Sequence, residues 1–157
     1  MHLLLPDEAA TLALGRALAL ALPARAPYPV LLLDGGLGAG KTTLVRGLVE
    51  ALPGGHEAEV ASPSFNIVNY YPTTPPVAHF DLYRLEGLPP GEDFHDALDD
   101  PGLFLVAEWA QYLPPAHRPA ESLFLSLRPV DTGREARLAA IGPAAQAFLD
   151  ALVAARA

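Results

Sequence analysis

Apolar residues recur about a helical turn apart between Asp7 and Leu22, at Leu12, Leu14, Leu18 and Leu22, which predicts a helix with Asp7 as its N-cap. Pro23, Pro27 and Pro29 end it. VLLLDGG follows, a short continuous apolar run of the kind expected of a strand buried on both faces. It stops at glycines, and a second helix is predicted from Lys41 to Leu52, closed by Pro53, Gly54 and Gly55. Further strands are expected in FNIVNYY, VAHFDLYRL, LFLVAEW, SLFLSLR and EARLAAI, separated by PTTPP, GLPPG and LPPAHRP. In VAHFDLY, alternation puts Ala78, Phe80 and Leu82 on one face and His79, Asp81 and Tyr83 on the other. A last helix starts at Pro143, a favoured first-turn residue, and buries Phe148, Leu149, Leu152 and Val153. Strands and helices in this order predict an α/β sandwich. Its sheet is expected to be parallel at the centre with antiparallel additions, because several later strands lack room for crossover helices.

The chain has 157 residues, 51% of them hydrophobic, enough to bury a core as one domain without staples. It contains no cysteine, which excludes disulfides, thiolate metal sites and cysteine nucleophiles and fits a cytoplasmic location. The apolar stretch from Ala9 to Leu22 is a poor secretory signal, since Asp7 and Glu8 stand where basic residues belong and Arg16 divides it. No membrane association is expected. A net charge of −8 argues against direct grip on a nucleic acid, whose affinity comes chiefly from phosphate neutralisation by lysine and arginine.

Only one of the ten permanent cations is a lysine, and it lies in GGLGAGKTTL. Gly35, Gly40, Lys41 and Thr42 fit G-x-x-x-x-G-K-[ST], the phosphate-binding loop, between a predicted strand and a predicted helix as the mechanism requires. Gly35, Gly38, Ala39, Gly40, Lys41, Thr42 and Thr43 are thus candidate nucleotide contacts. The backbone curls with its N–H groups inward, the helix start adds its positive end, and a compact ammonium fits where a planar guanidinium does not. An added Cβ is expected to hurt most at Gly38 and Gly40. The bland alternative is a glycine-rich turn with an exposed lysine. Chance matches arise about once per few hundred chains of this size, before the strand-and-helix context is required.

Such a loop needs acids at the ends of neighbouring parallel strands to hold Mg²⁺ and orient water, and Asp81 and Glu108 are the candidates, with the Thr42 hydroxyl as a further metal ligand. The competing reading makes either of them a surface acid on an edge strand. Ser62 and Ser64 offer hydroxyls, though serine beside proline is also ordinary turn chemistry. Trp109, the sole tryptophan, suits either the core or a gate beside Glu108. The five histidines show no metal-ligand spacing, and His79 reads as a satisfied, sheet-associated residue.

GGLGAGKTT, SPSFNIVNYY, HFDLYRL and AEW, in that order, resemble the TsaE family of small bacterial ATPases needed to make threonylcarbamoyladenosine in tRNA. The likeness runs from about Thr11 to Arg137. It implies a P-loop NTPase-like three-layer sandwich, ATP and Mg²⁺ as ligands, and TsaD-like and TsaB-like proteins as partners, with tRNA engaged only through them. It further implies that Lys41 and Thr42 meet phosphates and Mg²⁺, that Asp81 and Glu108 serve catalysis and metal binding, and that Ser64 lies in a switch-like loop. Trp109 and Arg134 are placed near the nucleotide, and Thr11 near the base. Gly36 departs from the family's usual aspartate and Ser64 from its threonine, and GEDFHDAL matches only approximately, leaving Glu92, Asp93 and Asp96 as solvated positions. A small-molecule kinase is disfavoured because Leu85 to Asp100 holds no arginine for a lid. A GTPase is excluded because the only lysine is taken. A non-catalytic ATP-holding subunit is the alternative from another class.

Overall fold

The computed structural model describes residues 1–64 and 67–157. Phe65 and Asn66, which open the FNIVNYY run, lie outside the described residues. The chain forms β1 (His2–Leu5), α1 (Glu8–Ala21), β2 (Val30–Asp34), α2 (Lys41–Ala51), β3 (Val68–Tyr71) and β4 (Val77–Asp81). It continues through α3 (Glu92–Asp99), β5 (Phe104–Glu108), β6 (Ser122–Val130), β7 (Gly133–Ile141) and α4 (Pro143–Arg156). One sheet runs in the order β1-β7-β6-β2-β5-β4-β3. Its centre is parallel, through β6–β2, β2–β5 and β5–β4. β3, β7 and β1 are the antiparallel additions.

The reason is connection length. Residues 82–103 between β4 and β5 contain α3 and can cross over, whereas β6 and β7 are joined by Asp131 and Thr132 alone and must form a hairpin. The sheet divides two cores. Leu31, Leu33 and Val106 point into one, under α1, α2 and α4. Leu32, Ala78, Phe80 and Ala107 point into the other, with Phe94 and Ala97 of α3. β2, β4 and β5 are buried at every position, the pattern of a parallel strand covered on both sides.

Two elements escape the periodicity. β1 is four residues with no alternation to read, and it exists because β7 pairs with it from His2↔Arg137 to Leu5↔Arg134. α3 spans a single pair of turns and buries only Phe94 and Ala97, leaving Glu92, Asp93 and Asp96 exposed. The strand expected through VAHFDLYRL ends at Asp81, where the Tyr83 amide bonds back to the Asp81 side chain and turns the chain. No helix among the described residues is long and apolar enough to cross a membrane.

Asp7 caps α1 by accepting from the Ala10 amide at 2.8 Å. The helix then packs on α2 backbone to backbone: a methyl on Gly15 would overlap the Leu44 carbonyl, and one on Gly47 would overlap the Leu12 carbonyl. This contact sets α2, and so the loop before it, at a fixed distance from the rest of the layer. Gly47→Ala is therefore expected to lower stability by about 1–3 kcal/mol through overpacking, outweighing the helix-propensity gain of about 1 kcal/mol. Urea unfolding checks this; an unchanged or raised midpoint refutes the close approach.

Candidate functional site

β2, β4 and β5 each end in a carboxylate, Asp34, Asp81 and Glu108. Because the strands are parallel and in register, with Asp81 opposite Glu108 and Leu33 opposite Glu108, all three acids emerge at the same edge of the sheet. The segment from Gly35 to Gly40 leaves β2 at that edge and enters α2 at Lys41. Gly38 and Gly40 have φ of +73° and +105°, where a side chain is strained. Space differs between them: a Cβ on Gly38 meets nothing, while one on Gly40 comes 2.9 Å from Nε of Arg134. Gly35 is also tight, since its Cβ would approach the Leu127 carbonyl at 2.9 Å.

Lys41 is only 5% exposed. Its Nζ donates to the carbonyls of Gly35 (2.6 Å) and Gly36 (2.8 Å) and sits 4.0 Å from the centre of the Trp109 ring, a cation–π contact. Burial lowers its pKa below the ordinary lysine range, against the opposing pull of Glu108, Asp81 and Asp34; Arg128 adds to the lowering.

The acids are not equivalent. Asp34 forms a two-toothed ion pair with Arg128, Nη2 to Oδ2 at 2.7 Å and Nη1 to Oδ1 at 3.4 Å. Asp81 is engaged through both oxygens, Oδ2 accepting from Ser62 (3.1 Å) and Ser64 (3.3 Å) and Oδ1 from the Tyr83 amide (2.9 Å). Glu108 uses only Oε1, accepting from the Thr42 hydroxyl at 2.9 Å and from Nε2 of His79 at 2.8 Å. Among the described residues Oε2 accepts no hydrogen bond from the protein. Asp81 and Glu108 are 8% and 2% exposed and sit on interior strands, which removes the surface-acid reading.

A cavity of about 630 Å³ opens here, within the size range of small-molecule sites. Gly38, Ala39, Gly40, Lys41, Thr42 and Thr43 line it from the loop and helix. Ser62, Ser64, Asp81, Glu108, Trp109 and Arg134 line it from elsewhere. Thr11 does not join them. It is fully buried in the first turn of α1, and its hydroxyl bonds the Asp7 carbonyl at 3.3 Å. Tyr83 and Arg84 line the cavity without having been read from sequence, because the turn after Asp81 re-aims residues that a continued strand would have carried away. Trp109 adopts φ +61°, a strained setting for a bulky residue, and stacks on Tyr112 with 5.7 Å between ring centres. Burial pushes the Tyr71 phenol above its usual pKa, so it remains a neutral hydroxyl.

Among the described residues, no three His, Cys, Asp or Glu side chains gather to hold a metal. The donors present, two carboxylates and the Thr42 hydroxyl, suit Mg²⁺, which keeps waters and takes phosphate oxygens rather than a full protein cage. The positive-φ glycines and the buried ammonium likewise fit a phosphate chain.

The family model described as "Threonylcarbamoyl adenosine biosynthesis protein TsaE" matches residues 5–137. The tRNA threonylcarbamoyladenosine biosynthesis protein TsaE of Synechocystis sp. is 42% identical over 120 residues, 73% of each chain. That of Bacillus subtilis is 37% identical over 118 residues, covering 74% of this chain and 72% of the relative. Among solved structures, Bacillus subtilis YdiB superposes with a TM-score of 0.76 at 27% identity, over all of this chain and 95% of the other.

Gly36 and Gly38 separate conformation from space, since neither has an atom within 4 Å of its would-be Cβ but only Gly38 has a positive φ. Gly36→Ala is expected to change stability by less than about 0.5 kcal/mol. Gly38→Ala is expected to cost about 1–2 kcal/mol from the left-handed backbone alone. Equal unfolding midpoints for the two variants would contradict the loop geometry.

Proposed function

The chain belongs to the TsaE family, and from that membership we propose that it is an Mg²⁺-dependent ATPase serving tRNA threonylcarbamoyladenosine formation, acting on protein partners rather than on tRNA itself. The observation that carries the reading is the convergence of one buried ammonium, the start of α2 and the Asp81–Glu108 pair on a single cavity.

In this reading Lys41 exchanges the Gly35 and Gly36 carbonyls for the β- and γ-phosphate oxygens, and the loop amides hold the chain of phosphates in line. Bound Mg²⁺ would be held by Thr42 with Asp81 and Glu108 nearby, and would neutralise charge on the phosphates. Glu108 is better placed than Asp81 to orient the attacking water, because its Oε2 is uncommitted while both Asp81 oxygens are engaged. The water oxygen bonds to the γ-phosphorus as the bond to the β,γ-bridging oxygen breaks, ADP leaves, and the water's proton passes to the phosphate product. Lys41 and the loop amides stabilise charge on the transferring group.

The segment carrying Ser62 and Ser64 is tied to Asp81 by two hydroxyl bonds, so a change at Asp81 on γ-phosphate loss is transmitted to an exposed stretch of chain. That coupling supports a nucleotide-driven switch read by TsaD-like and TsaB-like proteins. The acidity of the chain supports an indirect link to tRNA.

Lys41→Ala is expected to abolish measurable ATP binding in titration calorimetry, since it removes charge-assisted bonds each worth about 1.5–3 kcal/mol. Glu108→Gln should retain ATP and lose about 10²–10⁴-fold in single-turnover hydrolysis. Unchanged turnover in that variant would leave an ATP-holding subunit as the better reading. Filter binding of tRNA to the isolated chain at physiological salt is expected to be negligible, and a tight, salt-sensitive complex would overturn the partner-mediated role.

A further inference from the structure

Among the described residues, His79 is the one titratable side chain with no exposed surface at all that the hydrolytic scheme leaves unused. It lies on β4 two residues before Asp81, pointing into the core under α1 and α2, where an unpaired imidazole would be costly. Both of its nitrogens are engaged. Nε2 meets Glu108 Oε1 at 2.8 Å, and Nδ1 meets the Tyr71 hydroxyl at 3.0 Å. The same hydroxyl lies 3.2 Å from the carbonyl of Ala61, and Asn69 donates to that carbonyl at 3.2 Å. Ala61 directly precedes Ser62, the residue whose hydroxyl reaches Asp81.

Resting on the ATPase reading above, we propose that His79, backed by Tyr71, is a positioning residue for hydrolysis: it holds Oε1 of Glu108 so that Oε2 is presented to the attacking water.

The chemistry of the three groups fixes the direction of the chain of bonds. A carboxylate only accepts, so Nε2 carries a hydrogen, and Nδ1 then accepts the single hydroxyl hydrogen of Tyr71, which is thereby not given to the Ala61 carbonyl. Thr42 donates to the same Oε1, leaving one glutamate oxygen pinned by two donors from opposite sides, the sheet and the helix start. Rotation of the carboxyl group about its last bond would break both contacts. A buried ring that orients a carboxylate in this way acts as outer-shell partners do at metal and catalytic sites, where loss of such a partner lowers activity by about 10–100-fold.

The test uses the full chain with its partner proteins present. His79→Leu is expected to bind Mg·ATP within about threefold of the parent in calorimetry while single-turnover hydrolysis falls about 10–100-fold. His79→Gln, whose side-chain amide restores a donor to Glu108, should recover most of that rate. A His79→Leu rate equal to the parent's, or a His79→Gln rate as low as that of His79→Leu, overturns the proposal. Should His79→Leu fail to fold, Tyr71→Phe removes a single hydroxyl and is expected to slow hydrolysis severalfold at unchanged affinity; an unchanged rate is the overturning result. If the parent chain itself shows no turnover, the ATPase reading fails on its own, and the relay is judged by long-range proton–nitrogen NMR of the imidazole. A hydrogen on Nε2 whose resonance moves in Glu108→Gln and in Tyr71→Phe sustains the relay. A bare Nε2 refutes it.

Discussion

One ammonium among carboxylates governs this molecule. Lys41 is nearly buried, and the charges that offset its desolvation come from Glu108, Asp81 and Asp34, each supplied by a different strand. Three acids crowded at a sheet edge would repel one another and resist burial. Their negative charge opposes the lowering of the lysine's pKa by burial. Asp81 and Glu108 share a face only because β4 and β5 run in the same direction and in the observed register, since a one-residue slip of either would turn its terminal acid to the opposite face, where Asp34, one residue beyond the Leu33–Glu108 pair, already lies. Fold and site are therefore one requirement.

The protein resolves the cluster by giving each acid a distinct role. Arg128 neutralises Asp34 from β6, the side of β2 away from the other two acids. Asp81 accepts from two serine hydroxyls and a turn amide, so both of its oxygens are engaged. Glu108 is held at one oxygen only. Electrostatics alone does not distinguish these carboxylates; their hydrogen-bond partners do, and those partners arrive from β4, β6 and α2 together.

The central strands, α1, α2 and α4 were legible because each is long enough, or buried enough, for its apolar spacing to dominate, although Val153 of α4, expected in the core, is exposed. The glycine–lysine loop was legible because its chemistry needs a fixed spacing within a few residues. Legibility faded where a partner distant in sequence decides. β1 is a strand because β7 lies beside it, and α3 is a helix because Phe94 and Ala97 find a core to enter. Asp34 escaped attention although VLLLD has the same shape as VAHFD and FLVAE, an apolar run ending in an acid, and that shared ending was the available signal. His79 could be expected to be satisfied, but not by Glu108, because that contact follows from parallel register and not from local pattern.

The bare-backbone seam between α1 and α2 at Gly15 and Gly47 has a mechanical corollary. Where the two backbones touch there is no side chain to compress, so a push on the leading end of the helix that begins at Lys41 is met directly by the backbone of α1. The seam works as an anvil.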